Sequence, residues 1–261
     1  MSDDAVLLAC EGPLARITLN RPRVLNAENP EWIAGLGAAV EAVAARPEIR
    51  VVLLGGAGRA FCAGMDREML SREGMPPGFY EEQERVFAAI EALDAVSVAA
   101  LHGYCLGGGL QLALACDLRV CAGDCKLGLP AGELGLFPGM AVFRLPRQVG
   151  FGHARLILLT GEWIPPEEAL RLGLVDFLAP PERLEAEADR VVRLLLDGPR
   201  AAQAATKRLL RRGFDAAMPA VLAESRALLA DCLASPENAA AREQWPARRP
   251  PSPGSSLGPQ C

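Results

Sequence analysis

The first half of the chain alternates between short strand-like runs and helix-like runs. Residues Val6–Cys10 and Leu14–Asn20 alternate apolar and polar positions around the turn Glu11-Gly12-Pro13, which predicts a β-hairpin. Short, almost wholly apolar runs predict buried strands of a parallel sheet at Val51–Leu54, Val96–Leu101 and Leu118–Cys121. Apolar residues three and four positions apart predict helices over Pro30–Arg46, Phe79–Leu93 and Gly107–Cys116. Strands that alternate with helices indicate an α/β fold with right-handed crossovers.

Beyond about residue 140 the helical period dominates. It predicts helices over Phe143–Leu159, Pro165–Leu172, Pro181–Leu196, Arg200–Leu210 and Met218–Leu233, with one short strand-like piece at Leu174–Phe177. We therefore expect an α/β body over residues 1–195 and a helical region over residues 196–245, which folds over the body or contacts sister subunits. Residues 246–261 are rich in proline, glycine and serine, so we expect a disordered tail there.

Composition and charge exclude several classes of protein. The 261 residues are 51% hydrophobic and 23% charged, which is ordinary for a folded globular chain and excludes wholesale disorder. A net charge of −5 offers no basic surface for a nucleic-acid partner. No apolar run approaches the roughly 18 residues of a spanning helix, and the first residues, MSDDAVLL, lack a basic segment before an apolar one. We therefore expect a cytoplasmic protein without membrane contact.

The eight cysteines do not form a metal-binding or disulfide pattern. No CxxC pair occurs, and His102 and His153 lie far in sequence from Cys116, Cys121 and Cys125. Because no secretory signal is recognisable, a disulfide framework is not expected either. We expect these cysteines to be buried or inert thiols, and we expect no bound metal.

Two glycine-containing segments carry the candidate chemistry. In GRAFCAGMD (Gly58–Asp66), the small residues Ala63 and Gly64 let a ligand approach the backbone and leave the Met65 amide free to donate. In LHGYCLGGGLQLALACD (Leu101–Asp117), a predicted strand runs into three glycines that open a helix. Amides at such a helix start form a donor site for a carbonyl oxygen or an anion. Nucleotide binding is weakly supported, because the segment matches neither GxxxxGK(S/T) nor GxGxxG.

These two segments, in this order, resemble the crotonase superfamily, also called the enoyl-CoA hydratase/isomerase family. The resemblance covers nearly the whole chain and is carried further by ITLNRPRVLNA (Ile17–Ala27), LGLPAGELGLFPGMAVFRLPRQVG (Leu127–Gly150) and LLTGEWIPPEEALRLGLVD (Leu158–Asp176). It implies a crotonase-like α/β spiral of ββα units with a helical C-terminal region that supports homotrimers or dimers of trimers. It also implies an acyl-CoA thioester as the small-molecule substrate, with coenzyme A part of that substrate and no separate cofactor.

The resemblance also implies roles for individual residues. The backbone amides of Met65 and Gly108 form an oxyanion hole, which stabilises the enolate that forms when Cα of the thioester loses a proton. The stretch from Met65 to Glu68 lines the path of the adenine and pantetheine, and Arg23 and Ala27 are weaker candidates near the same ligand. The substrate-binding set implied in this way is Arg23, Ala27, Ala63, Met65, Asp66, Arg67, Glu68, Gly108 and Ala131.

The acid positions of the family's hydratases are empty in this sequence. Those hydratases use two glutamates on one water, and the matching positions hold Gln111, which can orient a water or a polar group, and Ala131. A third position, where some isomerases and dehalogenases of the family carry a carboxylate, matches Gly139. Gln111 lies three residues after Gly108, so we expect both on one face of the helix. Ordinary hydration is therefore not the favoured reaction.

Glu133 is the candidate replacement for the missing acids. If the segment Ala131–Glu133 is extended, both end side chains leave the same face, and a desolvated carboxyl there moves one proton. The alternative is a solvated loop charge or a salt bridge between subunits. Asp66, Glu68 and Glu84 are weaker acid candidates, and the small residues before Glu133 leave space for a bicarbonate base, as in some naphthoyl-CoA-type relatives.

Two classes of function remain open. The favoured one is an enzyme that stabilises an enolate and moves one proton, with double-bond isomerisation as the leading reaction and Met65, Gly108, Gln111 and Glu133 as catalytic residues. Decarboxylation or carbon–carbon bond chemistry on a pathway-specific coenzyme A or carrier-protein thioester is the alternative reaction. The other class is a catalytically quiet acyl-CoA binder, which the loss of both hydratase acids favours. Serine-hydrolase chemistry has no support, because no GxSxG motif occurs.

Overall fold

The computed structural model of the chain describes residues 4–244. Within that range a few side chains lie outside the description: those of Glu73, Glu133, Leu134, Ala241, Glu243 and Gln244. The chain divides into two units, the first ending at Gly198 and the second beginning at Pro199. The disordered tail expected over residues 246–261 lies outside the described residues.

A six-stranded sheet and a two-stranded sheet form the frame of the first unit. In chain order the strands are β1 (Val6–Glu11), β2 (Leu14–Leu19), β3 (Val51–Gly56), β4 (Val96–Leu101), β5 (Tyr104–Leu106), β6 (Leu118–Ala122), β7 (Lys126–Gly128) and β8 (Phe177–Ala179). The large sheet has the order β1-β2-β3-β4-β6-β8, and β5 pairs with β7 in the small one. Only β1 and β2 pair antiparallel; the other neighbouring pairs are parallel.

Helices connect these strands and follow them along the chain. In the first unit they are α1 (Pro30–Ala44), α2 (Arg67–Glu73), α3 (Phe79–Ala92), α4 (Gly108–Ala115), α5 (Ala141–Thr160), α6 (Pro166–Arg171) and α7 (Leu184–Leu196). The second unit contains α8 (Arg200–Asp215), α9 (Met218–Ala234) and α10 (Pro236–Gln244). The expected α/β fold and helical C-terminal region are therefore confirmed. Among residues 4–244, no helix is both long enough and apolar enough to cross a membrane.

The predicted N-terminal hairpin is confirmed. Glu11 pairs with Leu14, and Gly12 between them has φ +55°, a left-handed conformation that glycine adopts without steric cost. Leu14 in turn lies beside Val51, so the hairpin continues into the parallel part of the sheet. All four residues of the run Val51–Leu54 are buried, as expected of a parallel strand that is covered on both faces.

Some elements differ from the predicted ones. Neither β5 nor β7 is predicted, because a strand of three residues is too short to show a period. The seven-residue helix α2 lies in a segment that the sequence pattern leaves without an element. The strand expected at Leu174–Phe177 is wrong: β8 begins at Phe177, because the Leu174 amide closes the turn after α6 by donating to the Ala169 carbonyl at 2.8 Å.

Candidate active site

The two glycine-containing segments lie side by side in the structure. The Cys62 amide donates to the Tyr104 carbonyl at 3.0 Å, and the Leu106 amide donates to the Cys62 carbonyl at 3.0 Å. Cys62 and Cys105 are thereby paired as in a parallel sheet. This pairing brings the turn after Cys62 against the start of α4, which follows β5 directly.

Gly64 and Gly107 allow the backbones to approach closely. Gly64 has φ +87°, and a Cβ on it would lie 2.9 Å from the Leu106 carbonyl oxygen. Gly107 has φ +54°, and a Cβ on it would lie 3.7 Å from Gly64 Cα. Both glycines occupy the left-handed region, which other residues adopt only at a cost. The geometry of this turn therefore depends on glycine at both positions.

The amides of Met65 and Gly108 are available to a ligand. The Glu28 amide donates to the Gly64 carbonyl and the Asp66 amide donates to the Glu28 carbonyl, both at 2.9 Å. Because Gly64 and Asp66 make these two bonds, the N–H of Met65 between them points away from Glu28. Gly108 is the first residue of α4, where the amide has no acceptor inside the helix. Among residues 4–244 neither amide has a hydrogen-bond acceptor. Two such donors side by side can bind one oxyanion.

Met65 and Gly108 both line a cavity of about 530 Å³, a size typical of small-molecule sites. Its described lining consists of Ala63, Gly64, Met65, Arg67, Met75, Tyr80, Gln83, Leu106, Gly107, Gly108, Gln111, Pro130, Ala131, Leu136, Phe137, Pro138, Gly139 and Trp163. Most of these residues are apolar, and none of those described is an aspartate or a glutamate. The cavity therefore suits an apolar acyl group held by donors.

Gln111 is fixed against the start of α5. The Ala141 amide donates to Gln111 Oε1 at 3.3 Å, which leaves the Nε2 end of this buried side chain for a ligand. Gly139 has φ +49°, and a Cβ on it would lie 2.5 Å from Gln111 Oε1. A side chain at residue 139 would therefore displace Gln111. The expectation that Gln111 and Gly108 share one face is confirmed, because both line the cavity.

The geometric argument for Glu133 is wrong. Residues Ala131–Leu134 form a turn of 3-10 helix, not an extended segment, so alternation does not place Ala131 and Glu133 on one face. Gly135 ends the turn in the left-handed conformation, with φ +67°. Ala131 lines the cavity, whereas the side chain of Glu133 lies outside what the structure describes. Its proposed role stays a prediction.

The other acid candidates are engaged in contacts that stabilise the fold. Asp66 caps α2 by accepting from the Glu68 amide at 3.0 Å, and it also pairs with Arg21 at 3.1 Å. Glu68 is exposed and pairs with Arg72 at 2.7 Å. Neither carboxylate belongs to the described lining of the cavity.

Glu84 takes part in a half-buried ion-pair cluster between α3 and α5, in which only Arg144 is buried. Arg144 Nη1 donates to Glu84 Oε2 at 2.7 Å, and Arg144 Nε donates to Glu91 Oε1 at 2.9 Å. The cluster ties the two helices together beside the cavity. Burial and the nearby Glu84 raise the pKa of Tyr80, which lines the cavity as a neutral phenol.

The predicted substrate-binding residues fall into two groups. Those that line the cavity are Ala63, Met65, Arg67, Gly108 and Ala131. Those outside its described lining are Arg23, Ala27, Asp66 and Glu68. Since coenzyme A extends well beyond an acyl pocket, the role of the second group stays a prediction.

The sequence analysis missed the pair Glu28 and Gln83. Glu28 is wholly buried, and Gln83 Nε2 donates to its Oε2 at 2.7 Å. Burial, opposed by this hydrogen bond and reinforced by Glu84, raises the pKa of Glu28 to about 8. The available signal was Gln83 itself, since it interrupts the apolar stripe that Phe79 and Phe87 form on α3.

The described cysteines are free thiols. Burial raises the pKa of Cys62 and of Cys105, which keeps both thiols protonated. In the part of the chain that the structure describes, no group of three or more His, Cys, Asp or Glu residues is arranged to hold a metal ion.

Comparisons with known proteins found similar sequences that cover most of the chain. The sequence matches the family described as enoyl-CoA hydratase/isomerase over residues 10–252. It is 35% identical over 231 residues to the crotonyl-CoA hydratase of Syntrophomonas wolfei, covering 84% of this chain and 87% of that protein. It is 32% identical over 236 residues to the short-chain-enoyl-CoA hydratase of Clostridium acetobutylicum, covering 88% of this chain and 90% of that protein.

A solved structure extends the likeness to the fold. The crystal structure of an enoyl-CoA hydratase from Mycobacterium smegmatis superposes with a TM-score of 0.87 at 31% identity. The superposition covers 94% of this chain and 98% of that one.

Proposed function

The chain belongs to the enoyl-CoA hydratase/isomerase family, and within that family we propose that it isomerises the double bond of an enoyl-CoA thioester. It is thus an acyl-CoA enzyme with the crotonase-like fold expected from its sequence. The reaction is proposed from one observation. Met65 and Gly108, whose amides have no acceptor among residues 4–244, line a cavity whose described lining contains Gln111 and Ala131 but no carboxylate.

The amides act on the thioester oxygen. When a base removes a proton from C2 of a 3-enoyl thioester, the electron pair spreads over a dienolate whose negative charge lies largely on that oxygen. Fixed donors at Met65 and Gly108 stabilise this charge, and comparable donors contribute about 100- to 1000-fold to kcat. Return of the proton to C4 gives the 2-enoyl thioester, so no proton or electron is gained or lost overall.

One proton-carrying group is enough for this reaction. Hydration has to activate a water and protonate a carbon, which favours two acid–base groups, whereas isomerisation moves a single proton between two carbons. Glu133, two residues after the cavity residue Ala131, is the group that we assign to it. Gln111 supports the substrate with the Nε2 end that faces away from the Ala141 amide.

Coenzyme A is proposed to leave the cavity past α2. Arg67 is exposed and also lines the cavity, so its guanidinium is placed to meet a phosphate at the mouth. No organic group beyond the substrate's own coenzyme A is needed for the proposed proton transfer.

We also propose that copies of the chain assemble as trimers or dimers of trimers. Support comes from α5, where Phe151, Leu156 and Leu159 are 72%, 59% and 80% exposed, since large apolar side chains grouped on a surface mark contact sites. Light scattering on the full chain tests the assembly: the mass of three or six chains is expected, and a monomer contradicts it.

A comparison of substrates tests the reaction. The purified protein is incubated with trans-3-hexenoyl-CoA and with crotonyl-CoA, and the products are identified by mass spectrometry and by the ultraviolet absorbance of the conjugated thioester. We expect formation of 2-hexenoyl-CoA and little hydration of crotonyl-CoA. Faster hydration than isomerisation contradicts the proposal, and tight binding without any turnover indicates an acyl-CoA binder.

A further inference from the structure

Glu28 and Gln83 form a buried polar pair that the proposed proton transfer does not use. Glu28 is 0% exposed and Gln83 is 4% exposed. Taking a carboxyl group and an amide out of water costs free energy that apolar side chains of similar size would not lose. Packing alone therefore does not account for this pair.

The pair lies directly behind the oxyanion hole. A Cβ on Gly108 would lie 2.0 Å from Glu28 Oε2 and 2.3 Å from Oε1, so the carboxyl group occupies the space beside the Gly108 backbone. Gln83 lines the cavity while its Nε2 is held by Glu28. The Oε1 end of Gln83 is therefore the end left for a ligand.

We propose that Glu28 is a positioning residue that holds Gln83 in the acyl cavity and the Gly108 amide in the oxyanion hole. This role rests on the proposed function, because the amide matters only if a thioester oxygen binds there. Glu28 touches neither the cavity nor the reacting atoms and acts through its two neighbours.

The surroundings of Glu28 favour its neutral form. The titratable groups that face it are Glu84 on α3 and Cys62, whose Sγ lies 4.0 Å from Glu28 Oε1. Burial raises the pKa of Glu28 to about 8 and also keeps Cys62 a thiol. Helix α4 contributes no titratable side chain.

The remaining charges near this position have other partners or face solvent. On the flanking loops, Arg21 and Asp66 pair with each other at 3.1 Å. On α1, Glu31 and Glu41 are exposed. Ionised Glu28 would thus place an uncompensated negative charge behind the amide that binds a negative oxygen, and the site would bind the enolate less well.

Binding of two thioesters over a range of pH tests this role. Acetoacetyl-CoA forms an enolate readily, whereas butyryl-CoA keeps a neutral acyl group and reports on the coenzyme A contacts. Dissociation constants are measured by calorimetry for the wild-type chain and for Glu28→Gln and Glu28→Leu. The isosteric Glu28→Gln variant keeps an acceptor for Gln83 but cannot ionise at residue 28. Its dissociation constants as a function of pH therefore also correct for ionisation of acetoacetyl-CoA itself.

For the wild type we expect the affinity for acetoacetyl-CoA, relative to Glu28→Gln, to fall by up to about tenfold per pH unit above pH 8. The affinity for butyryl-CoA is expected to fall less over the same pH range. Glu28→Leu is expected to weaken binding at every pH because Gln83 loses its acceptor. The double variant Glu28→Leu with Gln83→Leu is then expected to lose less binding free energy than the sum of the losses of the two single variants, because both changes remove the same contact.

Two results overturn the role of Glu28 alone. One is a wild-type profile that matches that of Glu28→Gln at all pH values, and the other is wild-type affinity in Glu28→Leu. Failure of the wild-type chain to bind either thioester overturns the proposed function, and the role of Glu28 in it, at once. Thermal unfolding of each variant separates these results from loss of the fold.

Discussion

The two sides of the cavity supply their chemistry in different ways. On one side the donors are backbone amides, of Met65 and Gly108, and their positions follow from the pairing of Cys62 with Tyr104 and Leu106. On the other side the chemistry depends on side chains. The described lining there contains the carboxamide of Gln111 and the methyl group of Ala131, and no carboxylate. The fold itself therefore supplies the donors of the proposed enolate site, whereas a few side chains decide which proton moves in the proposed reaction.

Removal of one backbone donor is expected to have the largest effect. Met65→Pro lacks the N–H, so we expect kcat to fall by about 100- to 1000-fold. Met65→Ala is the matched control, because it changes the side chain and keeps the amide. Steady-state kinetics on 3-hexenoyl-CoA measures both, with thermal unfolding to establish that each variant folds. Equal activity of the two variants would show that the amide is not used.

Restoring carboxylates on the other side is expected to change the reaction. The double variant Gln111→Glu with Ala131→Glu supplies two acid–base groups, so we expect hydration of crotonyl-CoA to rise by roughly 100-fold over the wild type. The measurement is the loss of the ultraviolet absorbance of the conjugated enoyl thioester, with 3-hydroxybutyryl-CoA as product. The single variant Gln111→Glu is the control and is expected to gain much less. A wild-type chain that already hydrates crotonyl-CoA rapidly contradicts the contrast between the two sides.

The buried acid behind the donors predicts a pH dependence of stability. The pKa of Glu28 is raised to about 8 in the folded chain. The stability that the neutral carboxyl group gives the fold is therefore fully present below the ordinary carboxyl pKa of 4.5, and it is lost as the pH rises through 8. Between these values the free energy of unfolding of the wild type is expected to fall, relative to Glu28→Gln, by about 1.4 kcal/mol per pH unit. Urea unfolding at several pH values measures this difference. Parallel curves for the two proteins would mean that Glu28 is ionised when folded.

The smallest expected effect concerns the space beside Gly139 that the side chain of Gln111 occupies. Gly139→Ala adds a methyl group 2.5 Å from Gln111 Oε1 at φ +49°, whereas Gly135→Ala adds one at φ +67° with nothing within 4 Å. Both variants are expected to lose about 1 kcal/mol of stability from the left-handed backbone. Only Gly139→Ala is expected to lose affinity for butyryl-CoA as well, by a few-fold. Equal affinities would show that Gln111 does not contact the acyl group.

The sequence is informative where a local pattern determines the structure. The hairpin around Gly12, the apolar run Val51–Leu54 and the glycines before Gln111 each show a signal within a few residues, and each has the predicted structure. The backbone donors of the site lie in such segments. Their positions are therefore predictable from the sequence.

The sequence is less informative where distant residues meet. Glu28 and Gln83 are 55 positions apart, and only the packing of α3 beside Gly108 brings them together. The argument for Glu133 holds only if the segment after Pro130 is extended, but Gly135 ends a 3-10 turn there. Such turns depend on a single left-handed residue, and the hydrophobic pattern does not reveal them.

The proposed reaction depends most on stabilisation of an enolate by the amides of Met65 and Gly108. Exchange of the C2 hydrogens of butyryl-CoA in deuterium oxide, followed by mass spectrometry, measures enolate formation directly and requires no double bond. Deuterium uptake is expected with the wild-type chain and with Met65→Ala, and uptake at the uncatalysed rate is expected with Met65→Pro. A wild-type chain that binds butyryl-CoA yet leaves its C2 hydrogens unexchanged would contradict enolate stabilisation by these amides.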